Sequence, residues 1–179
     1  LGSRARRAGI LGWNLELASE RVEGALDGGA LLEELRKGAL APSARTRVLG
    51  AIGALAGSLC RVGYRHADLN PKNVLVDGEL LLGTRGRAWI LDLDRGSFTP
   101  RLGAASRRAT LERLWRGARK LEGAGRPCLS RGDACRFLRG FGSALSLDPW
   151  SWKDEWRAVQ SLHARDAWRH ALGQWLSSL

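Results

Sequence analysis

The chain has 179 residues, 44% of them apolar, a length that suits one domain with enough hydrophobic content to bury a core. No run approaches the ~18 uninterrupted apolar residues of a spanning helix, and no charged-then-apolar leader marks a secretory signal. The formal charge of +11 comes from 29 Lys and Arg against 18 Asp and Glu, which favours anionic partners such as nucleotide, phosphorylated glycolipid, membrane head groups or nucleic acid without choosing among them.

Residues Leu1 to Arg7 are basic and show no periodic pattern, and we expect them to be irregular. Gly9 to Ser19 alternates apolar and polar residues (Trp13, Leu15 and Leu17 against Asn14 and Glu16), which predicts a strand. A connector, Glu20 to Ala25, follows. Leu31, Leu32 and Leu35 predict a helix over Ala30 to Lys37, stopped by Gly38. A longer helix is predicted over Ser43 to Val62, with Ser43 as its N-cap. Gly50, Gly53 and Gly57 weaken that helix by propensity but permit close packing.

The centre of the chain is Gly63-Tyr64-Arg65-His66-Ala67-Asp68-Leu69-Asn70-Pro71-Lys72-Asn73, an H-x-D-x-x-x-x-N loop running into the apolar Val74-Leu75-Val76. Asp77-Gly78 reads as a hairpin turn, Glu79 to Arg87 as an extended second arm, and Ala88 to Leu93 as a strand delivering Asp92. Helices are predicted from Ala104 onward, with an apolar stripe of Leu111, Leu114, Trp115, Ala118 and Leu121. Arg107, Arg108, Arg113, Arg116, Arg119 and Lys120 flank that stripe as a solvated face or a head-group dock. Ser130 is the expected N-cap of a helix through Phe141. After Asp148-Pro149 come amphipathic helices carrying Trp156, Val159 and Leu162, then Trp168, Ala171, Leu172, Trp175 and Leu176. Trp150 and Trp152, beside Pro149, are the aromatic residues placed for exposure.

The three cysteines, Cys60, Cys128 and Cys135, lack metal-ligand spacing and read as buried reduced thiols of a cytoplasmic protein. Methionine is absent and the first residue is Leu1, so we expect the natural product to begin elsewhere.

Transfer of a phosphoryl group from a nucleotide needs a carboxylate near the acceptor hydroxyl, and an amide oxygen plus a second carboxylate on Mg²⁺. Asp68 fits the first requirement, and Asn73 and Asp92 fit the others. Pro71 stiffens the loop by fixing its own φ and biasing Asn70 toward an extended shape.

With Ile90-Leu91-Asp92-Leu93-Asp94-Arg95-Gly96, this loop resembles the bacterial 3-deoxy-D-manno-octulosonic acid (Kdo) kinases, which belong with the lipopolysaccharide core heptose kinases. His66-Ala67-Asp68-Leu69-Asn70 and Asp92-Leu93-Asp94-Arg95-Gly96 are more specific to them than the general kinase pattern. The resemblance implies an α+β fold: a protein-kinase-like C-terminal lobe, mainly helical, with a small β-hairpin region carrying the catalytic loop. Residues 1–22 would be a remnant of an N-terminal-lobe strand and hinge, and residues 23–179 the C-terminal lobe.

It also implies an ATP- and Mg²⁺-dependent kinase. Asp68 would be its catalytic base, His66 a buttress behind Asp92, and Asn73 and Asp92 its metal ligands. Backbone near Glu20 and Val22 would take adenine, Lys72 would stand near the phosphates, and Asp94 and Arg95 would meet the acceptor or lock the loop. For Lys72 a solvated lysine is the plain alternative. The implied acceptor is the anionic lipopolysaccharide core or Kdo-lipid A, reached by peripheral contact with the cytoplasmic face of the inner membrane. No nucleic acid is expected.

The sequence departs from the pattern in having no Gly-rich phosphate loop and no strand lysine, from which we expect weak or no transfer by this chain alone. Two rival readings are a small-molecule (aminoglycoside- or choline-like) phosphotransferase, and a basic, tryptophan-bearing module that binds nucleic acid or membrane without catalysis.

Overall fold

The structure, a computed structural model, describes residues 2–8, 12–18, 22–83, 86–100, 102–123, 127–147, 153–161 and 164. Two strands, β1 (Gly2–Ala8) and β2 (Gly12–Ala18), pair antiparallel from Gly2↔Ala18 to Ala8↔Gly12. The β2 strand lies where the sequence alternation predicts one. The β1 strand corrects the expectation of an irregular basic start: main-chain pairing with β2 needs no apolar period.

The helices form around glycine and leucine positions. Helix α1 (Gly28–Lys37) follows the two-residue strand β3 (Leu26–Asp27) and is capped by Asp27, whose Oδ1 accepts from Ala30 N–H at 2.8 Å. Gly38 closes it at φ +70°, a left-handed turn that glycine adopts without penalty. Helix α2 runs from Pro42 to Arg61. Its cap is Ala41 rather than Ser43, because Pro42 arrives with a helical φ already set and starts the helix a residue sooner.

Beyond the loop, β4 (Tyr64–Arg65), β5 (Val74–Val76), α3 (Gly78–Leu82), β6 (Ala88–Ile90) and β7 (Ser97–Phe98) make two small sheets, ordered β3-β5-β6 and β4-β7. The expected tight hairpin at Asp77-Gly78 is not there. Asp77 instead caps α3 by accepting from Glu79 N–H at 2.9 Å, so part of the expected extended arm is helical and β6 returns to β5 only at Ala88.

Helices α4 (Ala104–Glu122) and α5 (Arg131–Ala144) complete the core with α6 (153–161). Ser130 caps α5 as predicted and forms a reciprocal capping box with Asp133. Phe141, Leu138, Leu111, Leu114, Leu69, Val74 and Val159 are buried in one cluster, while Leu31, Leu32, Leu35, Val48 and Val76 form a second across α1 and β5.

Helices α2 and α5 meet backbone to backbone. A Cβ on Gly53 would stand 2.0 Å from the Phe137 carbonyl oxygen, and one on Gly140 would stand 2.1 Å from that of Gly50. Beside this contact Asp133, 1% exposed, receives the Arg45 guanidinium through Nε at 2.6 Å and through Nη2, with Arg136 at 3.1 Å. Burial pushes its carboxyl upward, but hydrogen bonds from Arg45 and Ser130 outweigh that and hold it below the ordinary aspartate value.

Cys60 is the buried cysteine, whereas Cys128 and Cys135 are half-buried. Burial, reinforced by Glu122, pushes the Cys128 thiol to about 11. Trp150, Trp152, Leu162, Trp168, Ala171, Leu172, Trp175 and Leu176 lie outside the described residues. No described helix is long and apolar enough to cross a membrane.

Candidate active site

The loop owes its shape to Leu69 and Pro71. Leu69 is 1% exposed and plugs into the main core cluster directly after two exposed residues, Ala67 and Asp68. Asn70 is extended (φ −130°, ψ 165°), as a residue before proline must be. Its Oδ1 accepts from Lys72 N–H at 2.9 Å and starts a short 3-10 turn over Pro71–Asn73. Glycines hold that turn from two sides. A Cβ on Gly28 would be 2.2 Å from the Pro71 carbonyl oxygen, and one on Gly117 would be 2.7 Å from Pro71 Cδ.

The polar groups of the loop converge on Asp68. Asn73 Nδ2 donates to the Asp68 carbonyl at 2.9 Å, and Asn70 Nδ2 donates to Asp68 Oδ2 at 3.2 Å. The Asp68 carboxylate is exposed. His66 is 4% exposed, and its Nδ1 accepts from Asp68 N–H at 3.1 Å. Its Nε2 is therefore the protonated nitrogen and donates to the Leu91 carbonyl at 3.0 Å. One ring thus ties the Asp68 loop to the residue before Asp92.

A second tie runs through the main chain, where Leu91 N–H donates to the Asn73 carbonyl at 2.8 Å. It continues the β5–β6 ladder by one step beyond Val74↔Ile90. The strand ends there instead of reaching Leu93. Asp92 takes φ 59° and ψ 53°, a left-handed conformation shared among the described non-glycine residues only with Ser146. Such a conformation costs on the order of 1–3 kcal/mol and persists where the surroundings impose it, often at functional sites. Here Tyr64 fixes the following turn, its hydroxyl donating to the Leu93 carbonyl, and a side chain on Gly96 would collide with that ring.

Asn73 and Asp92 are thus brought together through their backbones and offer hard oxygen donors, the type Mg²⁺ takes alongside substrate phosphates. Among the described residues no three His, Cys, Asp or Glu side chains gather into a metal cluster. Lys72 is exposed on the same turn, and Asp94 is exposed in the 3-10 turn Leu93–Arg95. Arg95 contributes backbone to that turn, and its side chain is outside the described residues, as is Glu20. Val22 is half-buried in the connector before β3. There the Gly24 carbonyl lies 3.4 Å from the Cβ position of Gly78, at the opposite end of β5 from Asn73.

The expected solvated face of α4 keeps Arg116 and Lys120 exposed, but its arginines are also paired. Arg108 Nε donates to buried Glu155 at 3.0 Å, Arg119 binds Glu122 at 2.6 Å while lying over the Trp115 ring, and Arg116 pairs with Glu112 at 3.4 Å. Arg113 reaches the loop itself, where its Nη1 donates to the carbonyls of His66 at 2.8 Å and Ala67 at 2.7 Å. Sequence reasoning missed this contact. Its one trace was Gly117, a turn further along and otherwise unexplained in mid-helix.

An α+β chain whose H-x-D-x-x-x-x-N loop hangs from a core leucine and is tied to an acid-bearing strand end has the architecture of a protein-kinase-like C-terminal lobe. Comparison with known proteins agrees. The sequence profile of the "Lipopolysaccharide kinase (Kdo/WaaP) family" matches residues 1–141, and the chain belongs to that family. A 3-deoxy-D-manno-octulosonic acid kinase of Stenotrophomonas maltophilia (strain K279a) is 40% identical over 72 residues, covering 40% of this chain and 26% of that protein. The enzyme of the same name from Vibrio vulnificus (strain YJ016) is 30% identical over 120 residues, covering 67% and 44%. The chain therefore matches between about a quarter and just under half of the length of these relatives. A solved structure described as "WaaP in complex with acyl carrier protein" shares the fold with a TM-score of 0.66 at 18% identity, over 93% of this chain and 66% of that one.

Proposed function

We propose that the chain carries the catalytic-loop portion of an ATP- and Mg²⁺-dependent phosphotransferase that acts on a sugar hydroxyl of the lipopolysaccharide inner core, as a Kdo kinase does. The observation that carries this reading is the His66 ring, bonded on one side to Asp68 N–H and on the other to the Leu91 carbonyl, so that the acid of the loop and the acid of the strand end are held as one unit.

In this reading the Asp68 carboxylate orients the acceptor hydroxyl and takes its proton as that oxygen bonds to the γ-phosphorus of ATP and the bond from phosphorus to the bridging oxygen breaks, releasing ADP. Asn73 and Asp92 hold Mg²⁺, which when bound neutralises the charge of the transferring phosphoryl group. The connector around Glu20 and Val22 receives adenine, and Lys72 stands near the phosphates. Asp94 and Arg95 lie on the acceptor side. Residues 1–22 serve as strand and hinge and residues 23–179 as the C-terminal lobe. The acceptor is an anionic glycolipid, met by peripheral contact at the cytoplasmic face of the inner membrane.

The test is turnover by the full-length protein that contains this chain, with Kdo-bearing lipid A as acceptor. Asp68→Ala and Asp92→Ala should each lower kcat on the order of 10²–10⁴-fold, the range of a lost acid–base or electrostatic group. Full activity in either variant would refute the assigned roles. Transfer to aminoglycosides or choline in preference to the glycolipid would keep the chemistry and overturn the acceptor.

A further inference from the structure

Resting on the phosphotransfer reading, we infer that Arg113 is a positioning residue that sets the direction of the Asp68 side chain from helix α4. The Ala67 carbonyl and the Asp68 N–H belong to one peptide unit, and that unit is planar and rigid. Its oxygen accepts from Arg113 Nη1 at 2.7 Å, and its N–H donates to His66 Nδ1 at 3.1 Å. The plane is thereby gripped at both ends, and its tilt fixes the bond from which the Asp68 carboxylate departs.

The preceding carbonyl, that of His66, accepts from the same Nη1 at 2.8 Å. Successive carbonyls directed at one point repel each other unless a cation stands between them. The guanidinium supplies that charge and is held by its own planar shape. Without it the unit between Ala67 and Asp68 is free to rotate, turning its N–H from His66 and loosening the link to Leu91 and Asp92.

The helix that carries Arg113 also fixes the far end of the loop. Gly117, one turn on, admits Pro71 to a distance that no side chain would tolerate, with Cδ 2.7 Å from the absent Cβ. Helix α4 therefore meets the loop at Ala67 through a charge and at Pro71 through a missing side chain, and Asp68 lies between. Its neighbours Arg108, Arg116 and Arg119 engage glutamates.

The experiment compares Arg113→Ala and Arg113→Lys with the wild type in the full-length protein, with Asp68→Ala as reference. For Arg113→Ala, kcat should fall on the order of 10²-fold, the cost of a misplaced catalytic group. KM for Mg²⁺-ATP should stay within about twofold, as for a group acting only on the transition state. Added guanidinium at low millimolar concentration should restore part of the rate, and sodium at equal ionic strength should not. An unchanged kcat, or a loss that parallels melting temperature and resists guanidinium, overturns the inference.

Amide exchange in the 179-residue chain judges it separately. Arg113→Lys should speed exchange at Asp68 N–H while amides of α2 keep their protection, and unaltered protection at Asp68 counts against it. If Asp68→Ala keeps full turnover, the phosphotransfer reading fails, while the exchange result still stands on its own.

Discussion

His66 has both ring nitrogens committed, and its replacement should be felt in stability as well as in chemistry. In His66→Phe the ring stays buried, but Asp68 N–H and the Leu91 carbonyl lose their partners. A typical hydrogen bond contributes about 0.5–1.5 kcal/mol net, so losing both part-buried bonds should show in chemical denaturation as a loss of roughly 1–3 kcal/mol. A loss below about 0.5 kcal/mol, the usual size for a surface substitution, would mean that water replaces the ring.

Asp133 yields a pH dependence. Its folded pKa lies below the ordinary value, held there by Arg45 and Ser130 against the opposing effect of burial. The carboxylate therefore contributes stability above its unfolded pKa of about 3.9, and loses it as the pH falls through the folded value. Asp133→Asn should remove that part of the acid limb, and should cost on the order of 3 kcal/mol at neutral pH because Arg45 is left without its partner. Stability measured from pH 7 down to pH 3 would check both. The H-x-D loop around His66 was legible because its residues are neighbours in sequence. The roles of Arg113 and Asp133 were not, because their partners lie 46 and 88 residues away in sequence.

Helix α2 shows how burial decides what propensity leaves open. Gly50, Gly53 and Gly57 each weaken it by about 1 kcal/mol relative to alanine, and all look alike in the sequence. The structure separates them. A methyl on Gly50 would meet nothing within 4 Å, whereas one on Gly53 would lie 2.0 Å from the Phe137 carbonyl. Gly50→Ala should therefore stabilise the protein by up to about 1 kcal/mol, and Gly53→Ala should destabilise it by about 1–3 kcal/mol as the helices are forced apart. Thermal melts of the pair give opposite signs, and a common sign would show that the α2–α5 contact is not the close one described.

Helices with strong stripes were legible for the same physical reason: Leu111, Leu114 and Ala118 in α4 and Leu138 and Phe141 in α5 repeat at the helical period and are buried. The stretch after Val76 was misread because Asp77 can start a turn or cap a helix with the same side-chain bond to Glu79 N–H. The run Glu79-Leu80-Leu81-Leu82, made of good helix formers, tips it to the helix.

Taken whole, the chain joins a kinase-family loop to lysines that all lie off its strands. The family's loop and acid strand were readable because they are local words, each within a few residues of sequence. A nucleotide also needs its phosphates gripped, which kinases of this fold do with a strand lysine. Of the four lysines in the chain, Lys37 ends α1 bonded to Glu34, Lys72 lies in the 3-10 turn, Lys120 is on α4 and Lys153 begins the 153–161 helix. None is on a strand.

The 179-residue chain should accordingly bind Mg²⁺-ATP only through the loop, with a dissociation constant that we place near 1 mM, an affinity of about 4 kcal/mol. At about 1 mM ligand, linkage then allows only RT ln 2, or about 0.4 kcal/mol of stabilisation. For a protein of this size that is a rise of about 1–2 °C in melting temperature. Removing the metal contacts with Asp92→Ala should abolish even this rise. A shift above about 5 °C in the wild-type chain, corresponding to more than about 1 kcal/mol, would mean that a cation other than these lysines grips the phosphates. The arginines of β1, which the lysine comparison leaves untouched, would then be the first to substitute.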